Sequence, residues 1–540
     1  MKRSMVRNAV CAMGLLAIAI VPSVKVQAQT KQPTVVVSLK SVDELLGDAD
    51  FIGATLGQEG LKENAEGLLN GVTRGMGLAG IDRTRPLGLY WNMTTSDPDD
   101  MGMPVAFLPI ADAEAFEKLI MTLAPDFKKS DGEWTMTING VPLFAKLADD
   151  HCHISGSSKM LTALAAPKKI ANSRYDIAID LSIAGIPAQA KATFLAMTEK
   201  QGREGLENGP APKNAAEAKG QELGFEWMLA TLTTMTNDGD RVTLGIDVNR
   251  ETRLASVDLG LSGQPNTGLA KAMAAYGKTI PAFAAAASDS APFRLVMSHP
   301  TTGMLENLDE LFTALRESAD AEIDKDEKLE DDSDRKAAKD VANRLFNIAQ
   351  ATIKSGSLHS VIVLEEGDDD TIRIIGGTKV AKGDDAGKLL DDILKLSTES
   401  PDLAKVKPDV AKHAGARIHE ITPDLDDKQT AMFGETGGHL AIRADSLWFS
   451  LGGGNLDALK KALESSVKPL SKPGAPISLR VKPATLVTLM EEDDEELIER
   501  ANALAGEPGD VLNVEIVPTP SGAKLHIEFG IDLIKLGNNK

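Results

Sequence analysis

The stretch Thr34-Val-Val-Val-Ser-Leu39 decides the fold, together with a second stretch, Phe293-Arg-Leu-Val-Met297, that opens the same series of elements again. Runs of β-branched and apolar residues bounded by polar positions predict buried strands. A helical pattern follows each run, over residues 42–56 and 304–315. We therefore predict two homologous modules, Pro33 to Ile280 and Ala291 to Lys540, because self-similarity of this kind sets the architecture of a chain.

Each module continues as strand pairs that lead into helices. Strands predicted at 87–93 and 104–110 precede a helix over 113–123, and strands at 358–364 and 371–380 precede a helix over 386–396. An acidic turn joins the strands in both places, at 96–100 and at 365–370. Strands that neighbour each other in sequence, with helices between them, predict an α+β fold in which each module is a largely antiparallel sheet with helices packed against it.

Three stretches interrupt the repeated pattern. Residues Gly202 to Gly220 are rich in Gly, Pro, Ala and charge, and predict a flexible insertion in the first module. Residues Ser318 to Lys339 are dense in Asp, Glu, Lys and Arg, which favours a charged helical insertion in the second. The Ala- and Ser-rich residues Pro281 to Pro292 are the predicted linker between the modules.

Residues 1–28 have the features of a secretory signal peptide. Lys2, Arg3 and Arg7 form a basic start, Ala9 to Ile20 is apolar, and Val26-Gln27-Ala28 is a small-residue cleavage site. A transmembrane anchor is the competing interpretation, but the apolar run is well short of the roughly 20 residues that a bilayer core requires. We expect cleavage before Gln29, export to the periplasm or the outside of the cell, and no membrane span afterwards.

The charge of the chain narrows the choice of partners. The formal net charge is −21 at pH 7, and removal of the basic signal segment makes it more negative. Nucleic acid and anionic lipid surfaces repel such a chain, so neither is an expected partner. Cys11 leaves with the predicted signal peptide, and Cys152 is then the one cysteine left, which rules out an intramolecular disulfide.

One short cluster, His151-Cys152-His153, combines residue types that bind metals. Alternation in a strand places the two imidazoles on one face and the thiol on the other. A zinc site needs a third and a fourth ligand, which the sequence does not identify. A short strand with Cys152 toward the core and two histidines near the surface is the favoured interpretation, so we predict no metal and no cofactor.

Other motifs with chemical potential have simpler explanations. The turn Leu451-Gly-Gly-Gly-Asn455 lacks the Lys-Ser/Thr ending of a P-loop, and like Ser155-Gly-Ser-Ser158 it predicts a tight strand-to-helix turn with a capping side chain. The acidic runs lack the ligand spacing of an EF-hand, which favours solvated turns and helix ends. The nucleophile and metal motifs of the common hydrolases are also missing.

The segments Pro104-Val-Ala-Phe-Leu-Pro-Ile-Ala-Asp112 and His153-Ile-Ser-Gly-Ser157, each before a helical stretch, carry a resemblance. Together with the export signal, they make the chain similar to uncharacterised bacterial secreted proteins with tandem α+β domains of unknown function. The resemblance implies tandem α+β domains and export, and it implies no site.

These observations lead to one principal prediction and two alternatives. The principal one is an exported, soluble, non-enzymatic protein with a binding or structural role in the cell envelope or periplasm. The first alternative is a carrier for an apolar ligand held between sheet and helices, and an enclosed apolar tunnel would favour it. The second is a hydrolase without a motif, and a cleft with a His against a carboxylate and a Ser would favour it. An unknown protein or an apolar ligand is the expected partner.

Overall fold

The computed structural model describes residues 33–93, 102–138, 140–212, 215–301, 308–326, 331–368, 371–397, 405–435, 437–468, 475–489 and 494–537. The chain divides into two compact units: the first contains residues up to 197 together with 236–264, and the second contains residues 198–235 together with 265–540. The predicted signal peptide and the acidic turn at 96–100 lie outside the described residues.

The first unit is built on antiparallel strands whose alternating apolar residues face helices. Its described strands are β1 (Val35–Leu39), β2 (Leu87–Trp91), β3 (Val105–Pro109), β4 (Lys128–Ser130), β5 (Glu133–Ile138), β6 (Val141–Ala148), β7 (His151–Ser155), β8 (Ile177–Ser182), β9 (Gly239–Asn249) and β10 (Leu254–Gly263). They pair in the order β4-β5-β6-β7-β3-β2-β1-β8-β9-β10, and every pairing is antiparallel.

Helices connect these strands along the chain, and residues 198–235, which include most of the last helix, belong to the second unit. The helices are α1 (Val42–Thr55), α2 (Leu61–Val72), α3 (Ala113–Leu123), α4 (Pro167–Ile170), α5 (Ala188–Asn208) and α6 (Ala215–Asp238), with a 3-10 helix at Ser158–Thr162. Ser41 begins α1 by accepting a hydrogen bond from the backbone N–H of Glu44, and Asp112 begins α3 by accepting from Glu114 and Ala115. Such caps satisfy backbone donors that the first helical turn leaves without partners.

Both faces of the first sheet are covered around β7. One face packs against α3, where Phe116, Trp134 and Cys152 belong to one apolar cluster. The opposite face carries Tyr90 and Phe107 in a second cluster. Because burial of apolar area on both faces contributes to folding, β7 is a central strand of the core.

The second unit has its own set of described strands. They are β11 (Phe293–Pro300), β12 (Ser357–Glu366), β13 (Ile372–Lys379), β14 (Lys405–His413), β15 (Ala416–Thr422), β16 (Gly438–Arg443), β17 (Ser446–Leu451), β18 (Ile477–Val481), β19 (Leu512–Pro518) and β20 (Gly522–Gly530). Within the unit they pair in the order β14-β15-β16-β17-β13-β12-β11-β18-β19-β20, again antiparallel throughout. This is the order of the first unit, position by position.

The helices of the second unit also follow the earlier sequence of elements. They are α7 (Gly268–Tyr276), α8 (Leu308–Lys325), α9 (Asp332–Lys354), α10 (Gly383–Ser397), α11 (Asp427–Phe433), α12 (Asn455–Ser466), α13 (Pro483–Leu489) and α14 (Glu495–Asn502), with 3-10 helices at Ala284–Ala286 and Ile531–Lys535. The α+β fold with antiparallel sheets is therefore confirmed, whereas the sequence analysis did not predict α2, α4, α7, α11 and most of α9.

Two predicted irregular stretches have more structure than expected. Residues 202–208 continue α5 and residues 215–220 begin α6, so the predicted flexible insertion at 202–220 is helical at both ends. Its Ala, Glu and Lys residues are good helix formers, which offsets the cost of the glycines. In the predicted linker, Phe283 and Ala291 are buried in the core of the second unit, and the Phe283 ring meets that of Trp448 at 4.9 Å between centroids.

Two strands, β4 and β14, were not predicted from the sequence, and each is the first strand of its pairing order. These strands are rich in Lys, and β14 contains Pro408. Charge and proline hide the alternating pattern on which strand prediction depends, and they are typical of strands at sheet edges. Among the described residues, none of the helices is both long and apolar enough to cross a bilayer.

The large side chain of Trp448 in β17 fits only because the opposite residue in β13, Gly377, has no side chain. Trp448 lies opposite Gly377 and is only 1% exposed, and a Cβ added at Gly377 would lie 2.5 Å from the indole ring. Glycine is required here because the strand must approach the ring closely.

We therefore expect Gly377→Ala to destabilise the protein by about 1–3 kcal/mol through overpacking, as measured by urea unfolding. The matched control is Gly67→Ala in α2, where no atom lies within 4 Å of the added methyl group. Alanine at this helical position should leave stability unchanged or raise it. Equal effects at both glycines would contradict the packing argument.

Candidate functional site

A group of charged side chains lies where three neighbouring strands of the first unit end. Lys40 directly follows β1, Asp176 directly precedes β8, and Asp247 lies in β9. The register pairs Leu39 with Ile177 and Ile177 with Ile246, which brings the three charged residues to the same end of the sheet.

Helix α1 adds two carboxylates to this end. Glu44 and Asp48 are four residues apart, so they lie one above the other on the same helix face. One carboxylate oxygen from each, together with one from Asp176, form a group in which every oxygen is within 4.8 Å of the others. No other group of three His, Cys, Asp or Glu side chains in the described part of the chain is arranged in this way.

Two basic side chains compensate part of this charge. The Lys40 ammonium lies 3.2 Å from Oδ1 of Asp176, and the Arg250 guanidinium pairs with Glu44 and has its Nε 3.2 Å from Oδ1 of Asp48. The backbone N–H of Val248 donates to the other oxygen of Asp176 at 2.6 Å. With Asp247 and the nearby Arg174 included, four carboxyl groups meet three cations, so negative charge is in excess.

Among these groups, the ionised form of Asp48 is strongly destabilised by its surroundings. It is 5% exposed, and neither of its carboxylate oxygens accepts a hydrogen bond among the described residues; its contact with Arg250 is an ion pair without hydrogen-bond geometry. Burial, followed by repulsion from Asp176, raises the pKa of Asp48 to about 7 against the pull of Arg250.

The neighbouring groups respond to the same field. Burial and the charge of Asp176 raise the pKa of Asp247. Burial is the largest single influence on Lys40 and lowers its pKa, but the hydrogen bond to Asp176 and the charges of the surrounding carboxylates together outweigh it, so the pKa of Lys40 is raised. Chemically, this arrangement can take up a proton or a cation, because either removes excess negative charge.

No sequence motif singles out these residues. Glu44 and Asp48 are visible as an i, i+4 pair of acids at the start of a helix, but this is a common surface pattern. Asp176 is 128 positions away from Asp48, and only strand pairing brings it close.

The predicted candidates His151, Cys152 and His153 all lie in β7, and all are buried. The expectation of two histidines near the surface was wrong: they are 4% and 1% exposed, because both faces of the sheet are covered. Nδ1 of His151 contacts the backbone oxygen of Asp149 at 2.7 Å, and the two rings are 6.4 Å apart. Within the described residues, no third ligand joins them.

Burial also sets the protonation states in β7. It lowers the pKa of His153 to about 4, with a further contribution from His151, and it raises the pKa of the Cys152 thiol to about 12. A neutral thiol in an apolar cluster is a poor nucleophile. These values describe a packed core strand.

The glycine turn before α12 is held by hydrogen bonds with the side chains of Asn455, at the start of the helix, and Thr371, just before β13. Gly454 precedes the helix without a side-chain cap, so the predicted cap is absent there and at Ser157 before the 3-10 helix. Instead, the amide of Asn455 donates to the backbone oxygens of Gly437 and Gly452, and Thr371 accepts from the N–H of Gly453.

One serine–histidine contact has the residue types of a hydrolase. Ser298 Oγ and His359 Nδ1 are 2.7 Å apart, and His359 Nε2 contacts Ser357 Oγ at 2.9 Å. Ser298 is fully buried, and both ring nitrogens contact hydroxyl groups, so no carboxylate orients the imidazole as general base catalysis requires.

The second unit has a concave surface of about 340 Å³. Its lining mixes polar and apolar groups: Tyr276, Gly277, Thr279, Ala475, Glu515, Val517 and Pro518. The concavity is open to solvent, which distinguishes it from an enclosed apolar tunnel.

Comparisons with protein-family models, with curated proteins and with solved structures found no match.

The raised pKa of Asp48 predicts a pH-dependent stability. The folded pKa of about 7 exceeds the unfolded value near 4, so this group favours the folded state at acid pH and its contribution is lost as the pH rises from about 4 to 7. We expect Asp48→Asn, which cannot ionise, to be more stable than the wild type at pH 8 by about 2 kcal/mol.

The measurement is urea unfolding at pH 5 and pH 8 in a buffer that contains a chelator. The difference between variant and wild type should shrink at pH 5, where the native carboxyl is mostly protonated. The assignment would be contradicted if the free energy of unfolding of Asp48→Asn, relative to that of the wild type, were lower at pH 8 than at pH 5.

Proposed function

We propose that this is an exported, non-enzymatic protein of two α+β units that arose by internal duplication, and that it binds a protein partner through exposed apolar side chains on helix α6. The single observation that carries the binding function is the exposure of Trp227 and Met228. The duplication is supported by the shared order of strands and helices in the two units.

Helix α6 exposes large apolar side chains on a solvated surface. Trp227 is 55% exposed and Met228 is 45% exposed, whereas Leu223 and Phe225 on the same helix are buried. Aromatic and Met side chains are enriched in protein interfaces because they bury a large area per residue. Trp227 and Met228 are not needed for packing of α6 within the chain, since Leu223 and Phe225 supply the buried contacts.

Charge selects the class of partner. The chain carries a net charge of −21, and Glu226 directly precedes the exposed tryptophan. Anionic lipid and nucleic acid are repelled by such a surface. A protein with an apolar pocket and a basic rim is complementary to it.

The two alternatives have less support from the described residues. The carrier needs an enclosed apolar space, and the concavity beside Tyr276 is open and mixed in polarity. The hydrolase needs an accessible nucleophile, and Ser298 is fully buried.

Photocrosslinking tests the binding surface. We expect benzoylphenylalanine in place of Trp227 to yield, in the producing cell, one covalent protein adduct of defined mass, because the side chain is then within reach of the bound partner. Gel mobility and mass spectrometry measure it, and Met228→Glu in the same chain should remove it.

The matched control is benzoylphenylalanine in place of Val467, a residue that is 61% exposed just after α12. Identical adducts at both positions would show nonspecific capture and would contradict the assignment to α6. An adduct with the mass of two chains would identify a second copy as the partner.

Export is a separate part of the proposal, supported by the basic, apolar and small-residue segments of residues 1–28. We expect the first residue of the protein recovered from the native host to be Gln29. N-terminal sequencing checks it, and recovery of a chain that still begins at Met1 would contradict it.

A further inference from the structure

We propose that Glu44, Asp48 and Asp176 form a binding site for one divalent cation of the size of Ca²⁺. The three residues come from α1 and from the chain just before β8, so the site depends on the folded first unit. Nothing in the proposed binding surface on α6 involves these residues, and the two proposals stand independently.

The first observation is the spacing of the oxygens. All three ligand atoms lie within 4.8 Å of one another. Ca²⁺ binds oxygen at about 2.3–2.6 Å, so two ligands on opposite sides of the ion are separated by about 4.6–5.2 Å. The group therefore fits around one ion without large movement of the backbone.

The second observation is that Asp48 is directed into this group without a hydrogen-bond donor. Its side chain is 8% exposed, and both oxygens lack hydrogen bonds among the described residues. Buried carboxylates are normally hydrogen-bonded, paired or bound to a metal, because burial removes their charge from water. The ion pair with Arg250 compensates Asp48 in part, and a cation between the three carboxylates replaces the hydrogen bonds that its oxygens lack.

The charges of the surroundings leave room for a divalent ion. Glu44, Asp48, Asp176 and Asp247 supply four negative groups, while Lys40, Arg250 and Arg174 supply three positive ones. Negative charge is therefore in excess, which favours binding of a cation. Carboxylate oxygens are the ligands that hard cations such as Ca²⁺ prefer, and water molecules commonly complete the coordination.

Arg250 is the competitor of the ion. Its guanidinium contacts both Glu44 and Asp48, and it contributes to the position of α1 when no metal is bound. Glu44 has to share its carboxylate between Arg250 and the ion. We therefore expect weak binding, with a dissociation constant in the range of extracellular calcium modules, about 0.1–1 mM, or somewhat larger.

The residues that the structure describes in the second unit do not repeat this group. The strand registers align Lys40 with Ser298 and Asp176 with Pro476, and the same backbone bond links each pair. Asp247 corresponds to Val517, and Val248 corresponds to Pro518, which has no N–H to donate. The proposal therefore predicts one ion per chain.

Isothermal titration of the full chain with CaCl₂, after chelator treatment and dialysis, tests the site. We expect one Ca²⁺ per chain and a saturable rise in the melting temperature over the same concentrations, since an ion that binds only the folded state stabilises it. Asp48→Asn and Glu44→Gln should each weaken binding at least tenfold. Asp48→Asn is expected to remain folded, because it removes a buried charge.

The matched control is Asp43→Asn. The Asp43 carboxylate lies in the same turn of α1, but it pairs with Arg83 and is outside the group. It should bind Ca²⁺ as the wild type does. Absence of saturable binding up to 10 mM, on the order of tenfold above the weakest extracellular modules, would overturn the proposal. So would wild-type affinity in Asp48→Asn, or a tenfold loss in Asp43→Asn.

Discussion

The first unit depends on the ladders that β1 forms with β2 on one side and β8 on the other. The five residues of β1 join two groups of strands, β2 to β7 on one side and β8 to β10 on the other, which share no other pairing among the described residues of the unit. β11 has the same position between β12 and β18 in the second unit. Three consecutive valines suit this role, because β-branched side chains pack well in a strand whose neighbours bury it.

Coverage of both sheet faces buries the side chains of His151, Cys152 and His153 in β7 and of Trp448 in β17. His153 lies opposite Phe107, and at the same position of the second unit Trp448 lies opposite Gly377. In each pair the volume of one partner is matched to the other, as close packing requires. The histidines of β7 therefore fill space in the core, and burial lowers the pKa of His153.

The ends of the central strands have a different role, because there the chain leaves the sheet and polar groups become possible. In the first unit this end carries Lys40, Asp176 and Asp247; in the second unit the corresponding end borders the open concavity with Val517 and Pro518. The same register thus supports a charged group in one unit and a shallow concave surface in the other. The hydrogen bonds between strands are formed by backbone atoms, so these side chains can differ between the units without a change in fold.

The sequence by itself determined the fold class and most of the elements. Apolar alternation and capping residues are local, and the helix predicted over 113–123 has the bounds of α3. The edge strands β4 and β14 escaped because lysines and a proline obscure the alternation, and the burial of His151 and His153 escaped because alternation does not reveal whether a second layer covers a face. The tertiary structure alone decided the carboxylate group. Glu44 and Asp48 are neighbours on a helix, but Asp176 and Arg250 reach them only through the pairing of β1, β8 and β9, and long-range pairing leaves no mark in the local pattern of any one segment.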